Sequence, residues 1–181
     1  MVGERAASPQ SPLTITRHGG DLLLRAEQVL PLAREVVFSF FADARNLARI
    51  TPSRLRFEIV TPGTIEMRDG TLIDYRLRVA GVPLRWCTRI VRWRPPREFR
   101  DEQLRGPYAE WVHTHRFSEL GPAATLMEDM VRFRLPFGTL GRIAEPFVRA
   151  QLRQIFGYRR NVIVAWLTEH HPAEIGTCPA G

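Results

Sequence analysis

The period of the hydrophobic pattern changes once along this chain, and that change limits what it can fold into. Between residues 55 and 134 apolar side chains recur at every second position, as in strands with one buried face. Beyond Pro136 they recur every third or fourth residue. Leu140, Ile143, Ala144, Phe147, Leu152, Ile155, Phe156, Val162, Ile163 and Trp166 make one broad helical stripe. Pro-Gly at 62 and 63, Asp-Gly at 69 and 70, Gly81, Pro95-Pro96, Gly106-Pro107 and Gly121-Pro122 punctuate the alternating region. Such short spacers favour an antiparallel meander.

These patterns predict strands over 22–30, 55–60, 71–79, 82–93, 99–104, 109–119 and 123–134, seven in all. Two short helices, 34–42 and 45–50, follow the first strand, with Asp43 placed to cap the second and Pro52 to end it. Thr139 is the expected N-cap of the long C-terminal helix, and Pro146 is expected to kink or restart it. A sheet with one apolar face must bury that face, and only the C-terminal helix is long enough to cover it. The expected fold is α+β: a seven-stranded curved antiparallel sheet closing over that helix, with a cavity between them.

A chain of 181 residues, 44% hydrophobic and 25% charged, fits one globular domain with its own core. Residues 1–20 and 171–181, rich in Ser, Pro and Gly, are expected to be flexible tails around a folded unit over 21–170. Cys87 and Cys178 stand far apart with no Cys/His pattern around them, so neither a disulfide nor a zinc site is expected. The N-terminal stretch lacks the apolar run of a signal peptide, and no run approaches the ~20 residues that cross a bilayer. The expectation is a cytoplasmic protein without membrane insertion.

All 26 basic residues are arginine, and the net charge is +7. An anionic partner is compatible with that charge. Arg149, Arg153, Arg159 and Arg160 nevertheless have the spacing of a solvated helix face, and no exposed aromatics are interleaved with them for base stacking. No specific nucleic-acid partner is expected.

The order of elements, together with several segments, resembles the SRPBCC superfamily, also called the START or Bet v 1-like helix-grip fold. The similarity spans about residues 22–167 and is strongest to its bacterial ligand-binding branch, often labelled polyketide cyclase or dehydratase. The segments are TPGTIEMRDG (61–70), PLRW (83–86), FRDEQLRGPYAEWVHTHRF (99–117) and FGYRR (156–160). Within the third, Asp101, Gln103, Gly106, Pro107, Tyr108, Trp111, His113, His115 and Phe117 follow the branch's pattern position by position. The resemblance implies a hydrophobic pocket between sheet and helix that takes lipids, sterols, polyketides or hormones in different members. It names no ligand for this chain.

Alternation assigns the side chains that face this pocket. Trp111, His113, His115 and Phe117 form the inward set of one strand; Ile73, Tyr75, Leu77 and Val79 form that of another, leaving Asp74, Arg76 and Arg78 to pair across strands. Leu84, Trp86, Thr88 and Ile90 are a third inward set. In 99–104, Phe99 selects Asp101 and Gln103, whereas Leu104 would select Arg100 and Glu102; the first choice is taken. Met127, Val131 and Phe133 select Asp129. The expected ligand contacts are Tyr75, Trp86, Asp101, Gln103, Trp111, His113, His115 and Asp129, joined by Phe147 from the helix.

Polar groups inside an apolar cavity are costly unless paired, so the His/Asp/Gln patch calls for an explanation. One is a buried network that orders the core. A second is a polar anchor for a small apolar or amphipathic ligand. A third is acid/base chemistry of the cyclase or dehydratase type, with His113 or His115 beside Asp129 or Asp101. With Asp129 or Asp101 nearby the two histidines could bind a metal, but nothing else supplies a reliable third ligand and the buried network explains them as well, so neither metal nor cofactor is expected. The loop over 61–70, with Ile65 and Met67, is either a lid or a simple hairpin connection.

Overall fold

The alternating region forms one antiparallel sheet in the computed structural model, which describes residues 12–171. Its strands are β1 (Thr14–His18), β2 (Asp21–Leu30), β3 (Glu58–Ile59), β4 (Leu72–Val79), β5 (Val82–Arg94), β6 (Glu98–Arg105), β7 (Glu110–Gly121) and β8 (Ala124–Arg134). The spatial order is β1-β2-β8-β7-β6-β5-β4-β3. Five consecutive strands are joined as hairpins, as the Gly and Pro punctuation predicts. The first long strand, β2, instead pairs with the last, β8. The crossing from β2 to the far edge of the sheet is made by α1 (Arg34–Ala42), α2 (Asn46–Arg49) and a short 3-10 turn (Ser53–Leu55).

Among the described residues the sheet therefore has eight strands and not the expected seven. The addition is β1, which pairs with β2 from Thr14↔Arg25 to His18↔Asp21. Residues 14–18 thus belong to the folded unit and not to a tail. The edge strand buries only Ile15, so its sequence carries almost no alternation to read. The remaining parts of both expected tails, 1–11 and 172–181, lie outside the described residues, as does Cys178.

The expected strand over 55–60 shortens to two residues. Arg56 takes a left-handed backbone conformation (φ 44°), which breaks an extended run before Glu58. Asp43 does not cap α2 as expected: its Oδ1 accepts the Arg45 backbone N–H at 2.9 Å, but Arg45 is itself the N-cap position and α2 has no side-chain capping bond.

The long helix α3 (Thr139–His170) is continuous and contains Pro146 without restarting. Its N-cap position is Gly138, not Thr139, which is already helical. Gly138 has φ 51°, a conformation that glycine adopts without Cβ strain.

The core has two parts. At one end, Ile163 and Leu167 of α3 pack with Phe38, Phe40 and Phe41 of α1 and with Phe99, Phe117 and Met127 of the sheet. At the other, Leu152 and Phe156 pack with Trp86, Trp111, Val131 and Phe133. The outer face carries cross-strand ion pairs, among them Arg89 with Glu102, Arg116 with Glu98 and Arg134 with Glu110. Much of the positive charge is therefore neutralised on the sheet itself.

Candidate functional site

Between the sheet and α3 lies a cavity of about 470 Å³. That volume suits a small molecule. The alternation of β4, and of β5 as far as Ile90, holds: Ile73, Tyr75, Leu77, Val79, Leu84, Trp86, Thr88 and Ile90 all face the cavity. β5 shifts register at Cys87/Thr88 and Ile90/Arg92, the kind of irregularity that bends a strand and curves a sheet. From α3 come Phe147, Leu152, Ile155, Phe156 and Arg159, and from the connection before β4 comes Met67.

Seven of the nine expected contact residues meet at this cavity: Tyr75, Trp86, Asp101, Trp111, His113, His115 and Phe147. Phe147 stands at the rim and is 56% exposed. Two do not reach the wall. Gln103 is turned toward its own hairpin, where its amide donates to the Tyr108 carbonyl at 2.8 Å and accepts the Tyr108 N–H at 3.3 Å. Asp129 lies behind the two imidazoles, buried between β7 and α3. Alternation placed it on the correct face but could not show that His113 and His115 screen it from the cavity.

The two histidines are held by their ladder positions. His115 lies directly opposite Asp129 on β8, and Asp101 on β6 lies directly opposite His113. The imidazole centroids are 3.8 Å apart, and the Phe99 ring stacks on His115 at 4.1 Å. His113 Nε2 is 2.9 Å from Asp129 Oδ1, a hydrogen bond. His115 Nδ1 is 2.8 Å from the same oxygen but too bent to form one. On their other sides, His113 Nδ1 and His115 Nε2 each lie 3.8 Å from Asp101 Oδ2.

The two carboxyls have opposite character. Burial works against the Asp129 charge, but His115, His113 and Arg159 outweigh it and hold this carboxyl well below its usual range. Burial pushes Asp101 up to about 6, only partly offset by His113 and Arg159. Burial also lowers both imidazoles, with His115 adding to the effect at His113. Near neutral pH the cluster therefore holds an ionised Asp129 and two neutral rings. An ionised carboxylate can only accept, so His113 must donate from Nε2, leaving its Nδ1 lone pair on the Asp101 side.

Asp101, His113 and His115 offer ligand atoms within 4.8 Å of one another, the donor types of a His/His/carboxylate metal site. Of the two carboxyls that could complete such a set, Asp101 and not Asp129 joins it. A tetrahedral ion about 2.1 Å from each donor would need the groups closer than their present spacing.

Three wall residues lie outside the set of expected ligand contacts. Thr88 Oγ1 accepts from Trp86 Nε1 at 3.1 Å and bonds the Tyr75 hydroxyl at 3.2 Å, tying two aromatic walls together. Tyr108 belongs to the wall beside Trp86 and Trp111. Arg159 is the largest departure: it is 8% exposed and faces the cavity. The signal was present, since position 159 lies three residues after Phe156 and four before Ile163, on the buried stripe.

A curved antiparallel sheet gripping one long helix around an apolar cavity defines a helix-grip domain. The family described as polyketide cyclase/dehydrase and lipid transport matches residues 30–156, and the chain belongs to it. A search of curated proteins gives no match. Among solved structures, the Zhui aromatase/cyclase of Streptomyces sp. R1128 is similar with a TM-score of 0.69 at 16% identity, covering 84% of this chain and 98% of that one. A norcoclaurine synthase of Thalictrum flavum gives 0.61 at 12%, covering 89% and 99%. Protein Ms6760 of Mycobacterium smegmatis gives 0.62 at 15%, covering 90% and 100%. At such identities the likeness is one of fold. Among the described residues no helix is long and apolar enough to cross a membrane.

Proposed function

We propose that this chain is a cytoplasmic binding module for a small hydrophobic or amphipathic molecule, held between the sheet and α3. The observation that carries the reading is the cavity itself: about 470 Å³, walled mainly by aromatic and aliphatic side chains, with one polar cluster. The apolar body of the ligand packs against Tyr75, Trp86, Trp111 and Phe147, and Asp101, His113 and His115 take its polar group. Gln103 and Asp129 act from behind, one fixing the hairpin and the other the imidazoles.

The test is native mass spectrometry of the purified full chain, with identification of any retained small molecule and titration with apolar fluorescent probes. Retention, or saturable probe uptake that quenches Trp86 and Trp111, supports the reading. A chain that arrives empty and takes up no probe sinks it.

A second reading has a specific observation behind it. Asp101, pushed up to about 6, sits beside two neutral imidazoles, so one group can give a proton and another receive one near neutral pH. That is the equipment of a cyclase or dehydratase, and one structural neighbour is an aromatase/cyclase. Turnover of a polyketide-like substrate, lost in a folded His115→Ala variant, would establish it.

A further inference from the structure

Resting on the binding reading above, we infer that the ligand is an acid, bearing a carboxylate or phenolate, and that Arg159 anchors it. Arg159 lies on the buried stripe of α3, is 8% exposed, and forms part of the cavity wall. A guanidinium does not shed its proton inside a protein, so this side chain brings a fixed positive charge into an apolar chamber. Such a charge is stable only if its donors are used.

They are not used. Nε and Nη1 of Arg159 are buried and make no hydrogen bond. The nearest ion-pair partner is Asp129, whose Oδ1 is 3.7 Å from Nη1, beyond hydrogen-bond reach. That same oxygen is already engaged by His113 at 2.9 Å and touched by His115 at 2.8 Å. The histidines thus occupy the Asp129 oxygen that lies nearest the arginine. Asp101, the other acid of the cluster, forms no ion pair with it within 4 Å.

Phe156 holds the guanidinium in place, with Arg159 Cζ 5.0 Å from its ring centroid. An oriented, planar, under-used fork beside an apolar cavity matches an acidic oxygen, and a carboxylate best of all. A neutral carbonyl or hydroxyl can accept from the same donors, but it leaves the buried positive charge uncompensated and cannot pair with the fork as a carboxylate does. The ligand class is therefore an amphipathic organic acid with its apolar body among Trp86, Trp111 and Tyr75.

The test titrates the full chain with two matched pairs, 2-naphthoate against 2-naphthalenemethanol and dodecanoate against 1-dodecanol. Wild type should bind each acid about tenfold or more tighter than its alcohol, as a charge-assisted hydrogen bond would produce. Arg159→Met should erase that preference while leaving alcohol affinity within about threefold. Equal affinity for acid and alcohol, or an acid preference that survives in Arg159→Met, overturns the anchor but leaves the binding module standing. Uptake of none of the four overturns both. If Arg159→Met does not fold, Arg159→Lys, which keeps the charge and loses the fork, decides the same point together with the wild-type ratios.

Discussion

Arg159 on α3 holds its Nη1 3.7 Å from Oδ1 of Asp129 on β8, so the long helix and the sheet share a buried ion pair behind the cavity. The pair is one-sided. Asp129 also serves His113 and His115, whereas among the described residues Arg159 has no other acid so close. Removing the carboxylate should therefore hurt far more than its single long contact suggests.

Asp129→Asn removes the nearest counter-charge of a buried guanidinium and offers the two imidazoles an amide in place of a strong acceptor. Breaking a buried pair in this way costs about 3–5 kcal/mol. Asp101→Asn should cost little or stabilise, because burial already disfavours the Asp101 charge. Urea unfolding of the two variants should separate them in that order. Equal losses would mean that the two carboxyls are not electrostatically distinct.

The pH dependence follows from the same asymmetry. Asp101 rises on folding from 3.8 to about 6, so between those values the folded chain binds its proton more tightly than the unfolded chain. Its contribution is favourable below about pH 4 and is lost as pH rises to 6, a change of about 3 kcal/mol. His113 and His115 are shifted down, so their contribution runs the other way and is lost as pH falls below about 6.5. The stability difference between wild type and Asp101→Asn isolates the carboxyl. It should move against wild type from pH 4 to 6, and a flat difference would remove the assignment.

Thr88 offers a cleaner local test. Its hydroxyl bonds both Trp86 Nε1 and the Tyr75 hydroxyl, and burial holds the Tyr75 phenol well above its usual range, so that it stays protonated. Thr88→Val keeps the shape and leaves both groups unpaired. It should lose about 1–3 kcal/mol by thermal or urea unfolding and shift the tryptophan emission. A silent variant would show that the two aromatic walls find other partners.

The sheet faces were legible because the strands alternate strictly where one side is buried. Tyr75, Leu77, Leu84, Trp86, Trp111 and His113 could all be placed from parity alone. Parity does not say how deep a residue lies, and so Asp129 was placed at the cavity when it stands behind a layer of imidazoles. Gln103 has the correct parity as well, but Gly106 leaves room for its amide to fold back on the hairpin. A Cβ at 106 would lie 2.2 Å from Gln103 Oε1. Arg159 escaped notice because a charge on a helix is ordinarily solvated, and composition outweighed its position on the stripe. β1 escaped because an edge strand that buries only Ile15 has no pattern to show.

The Gly106 and Gln103 pair yields a coupled prediction. Gly106→Ala forces the Gln103 side chain away and breaks its two bonds to Tyr108, the same loss that Gln103→Ala produces directly. Each should cost about 1–2 kcal/mol. Because both act through one interaction, the double variant should cost about as much as either single one. Additive losses would show that Gly106 is needed for its backbone and not for the space it leaves.

Filling the cavity tests whether it is the binding site at all. Leu77 faces the space from β4, and Leu72, on the same strand, is 49% exposed and lies off the cavity wall. Leu77→Trp grows into empty volume, so it escapes the roughly 1–3 kcal/mol strain of overpacking a filled core and should change stability by about 1 kcal/mol or less. Uptake of the naphthyl and dodecyl probes should nevertheless fall by about tenfold or more, since a loss of about 1.4 kcal/mol in contacts is enough. Leu72→Trp adds the same ring outside the cavity and should leave uptake unchanged. If Leu77→Trp stays folded and binds the probes like wild type, the ligand goes elsewhere, because a chamber of about 470 Å³ cannot take both an indole and an undisturbed guest at that wall.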